Sequence, residues 1–269
     1  MTEKEYRSAE GISRSQLWKI SESPEKFRFF EEHPEDPTPA LIFGQLIHKA
    51  TLEPETLMDE FAVAPNVDRR TKAGKEEYAA FIETAEGKTV VSADDWAKAQ
   101  EMLAAQANAP FIARLLQGKH EEPFFWTDEL TGELCKVRVD CLTEIEQEDG
   151  PKLVVVDYKS TADASTEAFM RQAVTLGYDF QAAMYSEGVE KITGQKPLFV
   201  FIAQEKTPPY SVNILQADPV FIQRGADRFR ELLGIYHDCK ETGNWYGYLG
   251  KFGVINNLAL PAWLAKEIE

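Results

Sequence analysis

The stretch LVVVDYKST, residues 153–161, carries the clearest structural signal in the sequence. It begins as an apolar run typical of a buried strand, and it ends with an acid and a base two positions apart. Because side chains alternate along a strand, Asp157 and Lys159 project to one side, and Val156 and Tyr158 project to the other. Taken alone, such a pair is more often a solvated ion pair than a functional site, so the rest of the sequence has to decide.

A predicted hairpin precedes this strand. Residues 121–142, EEPFFWTDELTGELCKVRVDCL, turn near Thr131-Gly132, and with the strand that starts at Leu153 they predict three successive antiparallel strands. Alternation gives the second strand an apolar face and a polar face, with Cys135, Val137, Val139 and Cys141 on one and Lys136, Arg138 and Asp140 on the other. Because Asp140 and Asp157 end neighbouring strands, their carboxylates are predicted to lie side by side.

Two adjacent carboxylates indicate a metal site, because they repel each other unless a proton or a cation lies between them. Oxygen ligands favour Mg²⁺ or Mn²⁺, and Mg²⁺ usually keeps waters and substrate phosphate oxygens as its other ligands. Lys159 could hold or deprotonate an attacking water and oppose charge on the phosphate. The motifs GxxxxGK[ST], GxGxxG, HExxH and GxSxG do not occur, so the sequence predicts phosphodiester cleavage rather than nucleotide binding or proteolysis.

The composition is that of a globular protein with a sizeable core. The 269 residues are 43% hydrophobic, and the longest apolar runs, such as 197–203, are far shorter than the ~20 residues that span a bilayer. A polar N-terminus adds the expectation of a soluble, cytoplasmic protein with no membrane partner. The three cysteines form no CxxC motif, which disfavours disulfides, a zinc cage and an iron–sulfur cluster; they are Cys135, Cys141 and Cys239.

Helices dominate the first part of the chain and alternate with strands in the rest. Ser13, Ser23 and Ser92 are predicted to begin helices, and residues 41–52 form an apolar helical stripe that contains His48. The order of elements predicts an α/β (α+β) fold in which one mixed sheet is flanked by helices. We expect one domain over 1–269, with a helical part at about 11–118, a catalytic sheet with its helices at about 119–245 and a C-terminal tail at 246–269.

Several further segments point to one nuclease family. They are ISRSQL (12–17), GQLIHKATLEPE (44–55), RRTKAGKEE (69–77), GKTV (87–90), Glu121 ahead of the hairpin, and FQAAMYSEGVE (180–190). With Asp140 and the DYK of 157–159, the chain resembles the PD-(D/E)xK nucleases and, within their RecB-like branch, the exonuclease VIII (RecE) C-terminal nuclease domain. The likeness extends from about residue 11 to LALPAW at 258–263. It implies a restriction-endonuclease-like core.

The resemblance also implies the site. His48, Asp140, Asp157 and the backbone carbonyl of Tyr158 would bind metal, Lys159 would act at the attacking water, Glu121 would support a metal ion or its water, and Gln181 and Tyr185 would position the strand being cut. The cofactor would be Mg²⁺, with Mn²⁺ able to substitute. Outside this context His48 would more often be a core histidine, and Gln181 and Tyr185 could equally lie on a helix surface. The chain departs from the motif name at Val139, which stands where the name has proline.

The function implied by the resemblance is a metal-dependent 5′-to-3′ exonuclease that acts on double-stranded DNA. It would leave 3′ single strands for recombination by single-strand annealing, as in phage or prophage systems. Its partners would be duplex DNA ends, a RecT-like annealing recombinase and other copies of the chain in a ring, a tetramer. The residues leave two alternatives open: an endonuclease or single-strand exonuclease on the same fold, and a catalytically silent DNA-binding or docking module.

The net charge of −16 argues against nucleic-acid binding, because such binding depends on basic side chains that neutralise phosphates. Screening over ~10 Å leaves only nearby charges to act on a bound phosphate, so the local sign decides. The basic segment 68–75 and the polar face of the second hairpin strand supply the expected phosphate contacts, namely Arg69, Arg70, Lys72, Lys75, Lys136 and Arg138. A solvated turn is the simpler account of the segment. A ring of subunits would turn these side chains towards a central channel.

Overall fold

The computed structural model describes residues 1–260 of the chain. The last nine residues of the predicted C-terminal tail, including part of LALPAW, lie outside the described residues. The division into domains remains a prediction.

Six strands form one mixed sheet, and two more form a small parallel pair. The strands are β1 Ile12–Ser13, β2 Phe61–Val63, β3 Thr89–Val91, β4 Lys119–Thr127, β5 Leu134–Gln147, β6 Gly150–Thr161, β7 Leu198–Glu205 and β8 Val212–Gln216. In the large sheet the order is β1-β5-β6-β7-β8, with β4 also paired to β5. The pair β2–β3 stands apart from it. The sequence pattern does not predict β1, β2 and β3.

Eleven helices lie within the described residues. They are α1 Glu3–Ser8, α2 Arg14–Ile20, α3 Pro24–Glu32, α4 Pro39–Leu52, α5 Leu57–Glu60, α6 Lys72–Thr84, α7 Ala93–Ala107, α8 Pro110–Leu115, α9 Thr166–Thr175, α10 Tyr178–Thr193 and α11 Pro219–Thr242. The predicted helix starts are correct, since Ser23 and Ser92 accept from backbone N–H groups at 3.1 and 3.0 Å. None of the helices in this part of the chain is long and apolar enough to span a bilayer.

The three predicted antiparallel strands are β4, β5 and β6. Strands β5 and β6 pair from the turn as far as Cys141 with Val156. Near the start of β5, at Cys135 and Lys136, its partner is instead the short parallel strand β1. Because β4 already occupies the other edge there, β1 takes over the edge that β6 has left. The two long strands therefore separate just beyond Cys141 and Val156.

Helices cover both faces of the sheet. Buried residues of α2, α10 and α11, such as Leu17, Phe180 and Phe229, form a cluster on one face. Residues of α4 and α7, such as Leu46 and Met102, form a second cluster on the other. The parallel strands β6 and β7 are joined through α9 and α10, as a crossover connection requires. The predicted α/β fold with one mixed, helix-flanked sheet is confirmed.

One predicted face is wrong. Val139 packs in the first cluster but Cys141 packs in the second, although both are fully buried. The regular alternation therefore breaks at Asp140. Across from Asp140 in the register lies Glu121, whose φ of 52° is in the left-handed region. A side chain with a Cβ rarely adopts this backbone conformation, so the strand pair is distorted where the acids lie.

Candidate active site

Two acids meet where β5 and β6 separate. Asp140 adjoins Cys141 and Asp157 adjoins Val156, and these two neighbours form the last pair before the strands separate, so the two acids lie across from each other. Oδ2 of Asp140 accepts a hydrogen bond of 2.9 Å from the backbone N–H of Tyr158. Asp157 is fully buried, and Asp140 is nearly so. The fold thus holds two carboxylates together in a place with little solvent.

His48 and Glu121 complete the acidic cluster. His48 comes from α4, which packs against β6, and its Nε2 lies 3.0 Å from Oδ2 of Asp140. Its Nδ1 lies 3.6 Å from Oε1 of Glu121. The ligand atoms of His48, Glu121 and Asp140 all lie within 4.8 Å of one another. His48 is therefore at the acids rather than in the apolar core.

Lys159 and Gln181 both contact Asp157. Nζ of Lys159 lies 2.5 Å from Oδ2 of Asp157 and 5.2 Å from the centre of the Tyr178 ring. Nε2 of Gln181, on α10, donates to Oδ1 of the same carboxylate. Gln181 is buried, so its amide fixes the orientation of Asp157 instead of reaching into open space. Tyr185, one turn further along α10, is half-buried and packs edge-on against Phe199.

Burial is the main influence on the three carboxylates. It raises the pKa of Asp157 to about 6, against the opposing charge of Lys159. It raises the pKa of Glu121 to about 7, with His48 opposing. Burial has the same effect on Asp140, but the charge of His48 and its hydrogen bond outweigh it and hold the pKa of Asp140 below its ordinary value. Asp140 is therefore the most firmly ionised of the three.

The two bases respond in the opposite sense. Burial would lower the pKa of His48, but the Asp140 carboxylate and then Glu121 outweigh burial and raise it to about 9. The pKa of Lys159 is also raised, because Asp157 and Asp140 outweigh its burial. At neutral pH and without a metal ion, both side chains carry a proton. In the absence of a metal ion, protonated His48 thus balances part of the negative charge of Asp140 and Glu121.

The donor set fits a hard divalent cation. Oδ2 of Asp157 is buried and, among the described residues, faces the Lys159 ammonium without a directed hydrogen bond. It is the kind of atom that a metal ion would satisfy. The clustered carboxylates of Asp140 and Glu121 suit Mg²⁺ or Mn²⁺, and the imidazole of His48 suits Mn²⁺ in particular. Asp157 is not part of this three-residue group but lies beside it, next to Tyr158, which holds Asp140. The metal role of the Tyr158 carbonyl remains an expectation from the resemblance.

The cluster opens onto a cleft of 1220 Å³. His48, Glu121 and Lys159 line its floor, and α1, α4 and the small β2–β3 sheet contribute the walls. Basic and acidic side chains alternate on these walls. Lys49 is held by Glu53 at 2.8 Å and by Glu60 at 2.7 Å. The cleft is open to solvent.

Two predicted phosphate contacts have other partners. Lys136 is buried, and its Nζ donates to the backbone carbonyls of Tyr6, Arg7 and Ala9 at 3.0, 3.3 and 2.5 Å. An ammonium group has three N–H donors, so none remains for a phosphate, and the predicted contact at Lys136 is wrong. Nε of Arg138 lies 2.6 Å from Oε2 of Glu121. Arg138 lines the cleft and orients that carboxylate.

The basic segment is exposed beside α6. Nε and Nη2 of Arg70 bond to Asp68 at 3.0 and 3.1 Å, and the guanidinium of Arg69 lies 4.5 Å from the centre of the Tyr78 ring. Lys72 and Lys75 are also exposed. Within the described residues, the cleft lining includes Gly87 and Thr89 of the adjoining region but none of the four basic side chains. Their predicted DNA contact remains a prediction.

Arg14 is a residue that the sequence analysis missed. Its Nη2 donates to the carbonyls of Leu176 and Gly177 at 2.5 and 2.9 Å, and its guanidinium lies 5.3 Å from the Trp18 ring centre. Burial lowers the pKa of Arg14, and Tyr185 and Asp157 oppose this from nearby. Its Nε is buried without a hydrogen-bond partner among the described residues. The only signal in the sequence was a basic residue inside ISRSQL.

The comparisons with known proteins agree with this site. A protein-family model described as a PDDEXK-like domain of unknown function (DUF3799) matches residues 13–257, which include every residue of the cluster. A crystal structure described as a "Putative exonuclease" from Eubacterium rectale aligns with a TM-score of 0.63 at 15% sequence identity. The alignment covers 98% of this chain and 97% of that one. At this identity the likeness shows a shared fold.

Two other comparisons add no argument. The crystal structure of SSO0001 aligns with a TM-score of 0.30 at 13% identity, over 70% of this chain and 85% of that one. Curated proteins gave no sequence match. The predicted PD-(D/E)xK resemblance is confirmed by the family match.

Proposed function

This chain belongs to the family of PDDEXK-like domains of unknown function (DUF3799), and from that premise we propose that it is a divalent-metal-dependent DNA nuclease. The observation that carries the proposal is the meeting of Asp140, Asp157 and Lys159 where β5 and β6 separate. A silent member of such a fold would be expected to lack an acid or the lysine. All three are present here: Lys159 lines the open cleft and pairs with Asp157, and Asp140 accepts from the backbone N–H of Tyr158, the residue between Asp157 and Lys159.

The four residues that would hold the metal are His48, Glu121, Asp140 and Asp157. A bound divalent ion would supply a Lewis acid for a phosphate oxygen and lower the pKa of a bound water. Gln181 holds one oxygen of Asp157, so the other faces Lys159 and the site.

Lys159 is best suited to hold, rather than deprotonate, the attacking water. Its pKa is raised, so it is an ammonium at neutral pH and cannot accept a proton. The ammonium pairs with the Asp157 carboxylate through charge. Its N–H donors can bind a water or a non-bridging phosphate oxygen, where they would oppose developing negative charge.

We further propose that the enzyme is a 5′-to-3′ exonuclease on duplex DNA that leaves 3′ single strands for an annealing recombinase of the RecT kind. The resemblance to exonuclease VIII supports this direction, and the structural neighbour described as a "Putative exonuclease" supports exonuclease action without bearing on direction. The proposed assembly is a ring of identical subunits, a tetramer. Exposed Arg69, Arg70, Lys72 and Lys75 would face its channel and offset the net charge of −16 near the DNA.

Linear duplex DNA with one labelled end tests this proposal. Purified protein with Mg²⁺ should release a 5′ label early and retain a 3′ label on long fragments, and it should leave covalently closed circles intact. Early release of the 3′ label would overturn the direction. Cleavage of closed circles at the rate of linear DNA would establish the endonuclease alternative. Intact linear DNA with every divalent metal tried would support the silent module.

A further inference from the structure

A chain of buried hydrogen bonds runs behind the active site. Nε2 of Gln106 donates to Oγ1 of Thr51 at 3.1 Å and to Oε1 of Gln204 at 2.7 Å. The hydroxyl of Tyr158 donates to the same Oε1 at 2.6 Å. Nε2 of Gln204 donates to the carbonyl of Met102 at 2.9 Å. These four side chains, from α4, α7, β7 and β6, form the buried amide network.

The network stands inside an apolar cluster. Gln204 is completely buried, and its neighbours in β7 on the same face, Val200 and Ile202, belong to the second cluster together with Met102 and Tyr158. Polar groups in such a place are costly unless every one is paired, and apolar side chains could fill the same volume. Both the acceptor and the donor of the Gln204 amide are paired. A network of this kind fixes one relative arrangement of the elements that it joins.

Both ends of the network adjoin residues of the candidate metal site. Tyr158 lies between Asp157 and Lys159, and its N–H holds the carboxylate of Asp140. Thr51 lies three residues beyond His48 on α4, close to one helical turn. A shift of α4 along β6 would move His48 away from Asp140, which it now reaches at 3.0 Å. The network opposes that shift.

We propose that Gln204 is a positioning residue for the metal site, acting through Tyr158 on one side and through Gln106 and Thr51 on the other. It keeps α4, with His48, and the Asp157–Lys159 segment of β6 in one fixed arrangement around Asp140, where their side chains would hold a divalent ion. This inference rests on the proposed metal-dependent function. Gln204, which does not line the cleft, would then affect metal affinity as well as stability, and the two effects can be measured separately.

The test compares Gln204→Leu with a control of similar burial. Ile202→Ala removes a fully buried side chain from the same strand, face and cluster without breaking a hydrogen bond of the network. Mn²⁺ affinity is measured without DNA by the electron paramagnetic resonance signal of free Mn²⁺, at a temperature where circular dichroism shows each variant folded. Outer residues that orient metal ligands typically change metal affinity about 10- to 100-fold. We expect at least a tenfold loss for Gln204→Leu and less than a twofold loss for Ile202→Ala.

Tyr158→Phe provides a second variant, because it removes one hydroxyl and keeps the ring; it carries the test if Gln204→Leu does not fold. We expect it to weaken Mn²⁺ binding at least threefold, with a smaller drop in melting temperature than Ile202→Ala. Equal losses of affinity in the network variants and in Ile202→Ala would overturn the positioning role and leave the nuclease proposal standing. If the parent protein binds no Mn²⁺, the metal site itself is refuted and the inference with it.

Discussion

Metal binding should expel a proton from His48, and this gives the account its most detailed prediction. The pKa of His48 is about 9, because the Asp140 and Glu121 carboxylates outweigh burial. A protonated imidazole cannot bind a metal ion. Below this pH, His48 must therefore lose its proton before its nitrogen becomes a ligand.

The size of the effect follows from the titration. Well below the pKa of the ligand, each pH unit changes the fraction of free imidazole about tenfold, so the apparent Mn²⁺ affinity should rise about tenfold from pH 7 to pH 8. Below pH 7 the dependence should become steeper, because Glu121, with a pKa of about 7, and Asp157, with a pKa of about 6, then hold protons as well. The sign is unambiguous: acid weakens metal binding.

Isothermal titration calorimetry with Mn²⁺ at pH 8 in two buffers of different ionisation enthalpy counts the protons directly. The parent should release close to one proton per ion, since His48 is then mostly protonated and the carboxylates mostly are not. His48→Gln keeps a polar side chain that cannot take up a proton, so its proton release should fall to the fraction that Glu121 still holds, since the imidazolium no longer lowers the pKa of that carboxyl. Equal proton release by the parent and by His48→Gln would refute His48 as a ligand that must deprotonate.

Three further predictions concern other residues. Lys159→Gln should abolish turnover on linear DNA yet keep Mn²⁺ affinity within a few-fold, because the ammonium is a donor and not a ligand; a large loss of affinity would contradict this. Lys136→Met should lower stability by about 1–3 kcal/mol in urea unfolding, because it removes the charged donor that three part-buried carbonyls share. It should barely change DNA affinity, whereas Arg70→Ala should lower DNA affinity and barely change stability; the opposite pair of results would restore the original assignment of Lys136. Sedimentation equilibrium should give the mass of a closed assembly, a tetramer; a monomer that digests DNA fully would remove the ring.

Strand alternation was a reliable guide to the centre of the site. The apolar run that ends in Asp157-Tyr158-Lys159 and the hairpin before it predict β5 and β6. In the structure Asp140 and Asp157 lie across from each other at the point where these two strands diverge. This succeeds because side-chain period and turn chemistry are local properties of the sequence.

The predictions failed at residues whose environment is set by contacts with distant parts of the chain. Alternation correctly turns Lys136 away from the first cluster, but it cannot show that the segment around α1 folds over that face and takes all three of its donors. It also cannot foresee the left-handed Glu121 opposite Asp140, which moves Cys141 to the other face. Gln204 and Gln106 gave no signal at all, because a buried amide is recognised only when its partners, which are 98 positions apart in sequence, are seen together.

The most direct test of the central claim is the hydrolysis of linear duplex DNA by the parent and by two variants that keep side-chain shape, Asp140→Asn and Asp157→Asn. The parent should release acid-soluble nucleotides with Mg²⁺ or Mn²⁺ and none after treatment with EDTA. Each variant should keep its circular dichroism spectrum and lose at least a thousandfold in rate, because removing one catalytic group typically costs several kcal/mol of transition-state stabilisation. A folded Asp157→Asn protein that digested DNA at the rate of the parent would show that the chemistry takes place elsewhere.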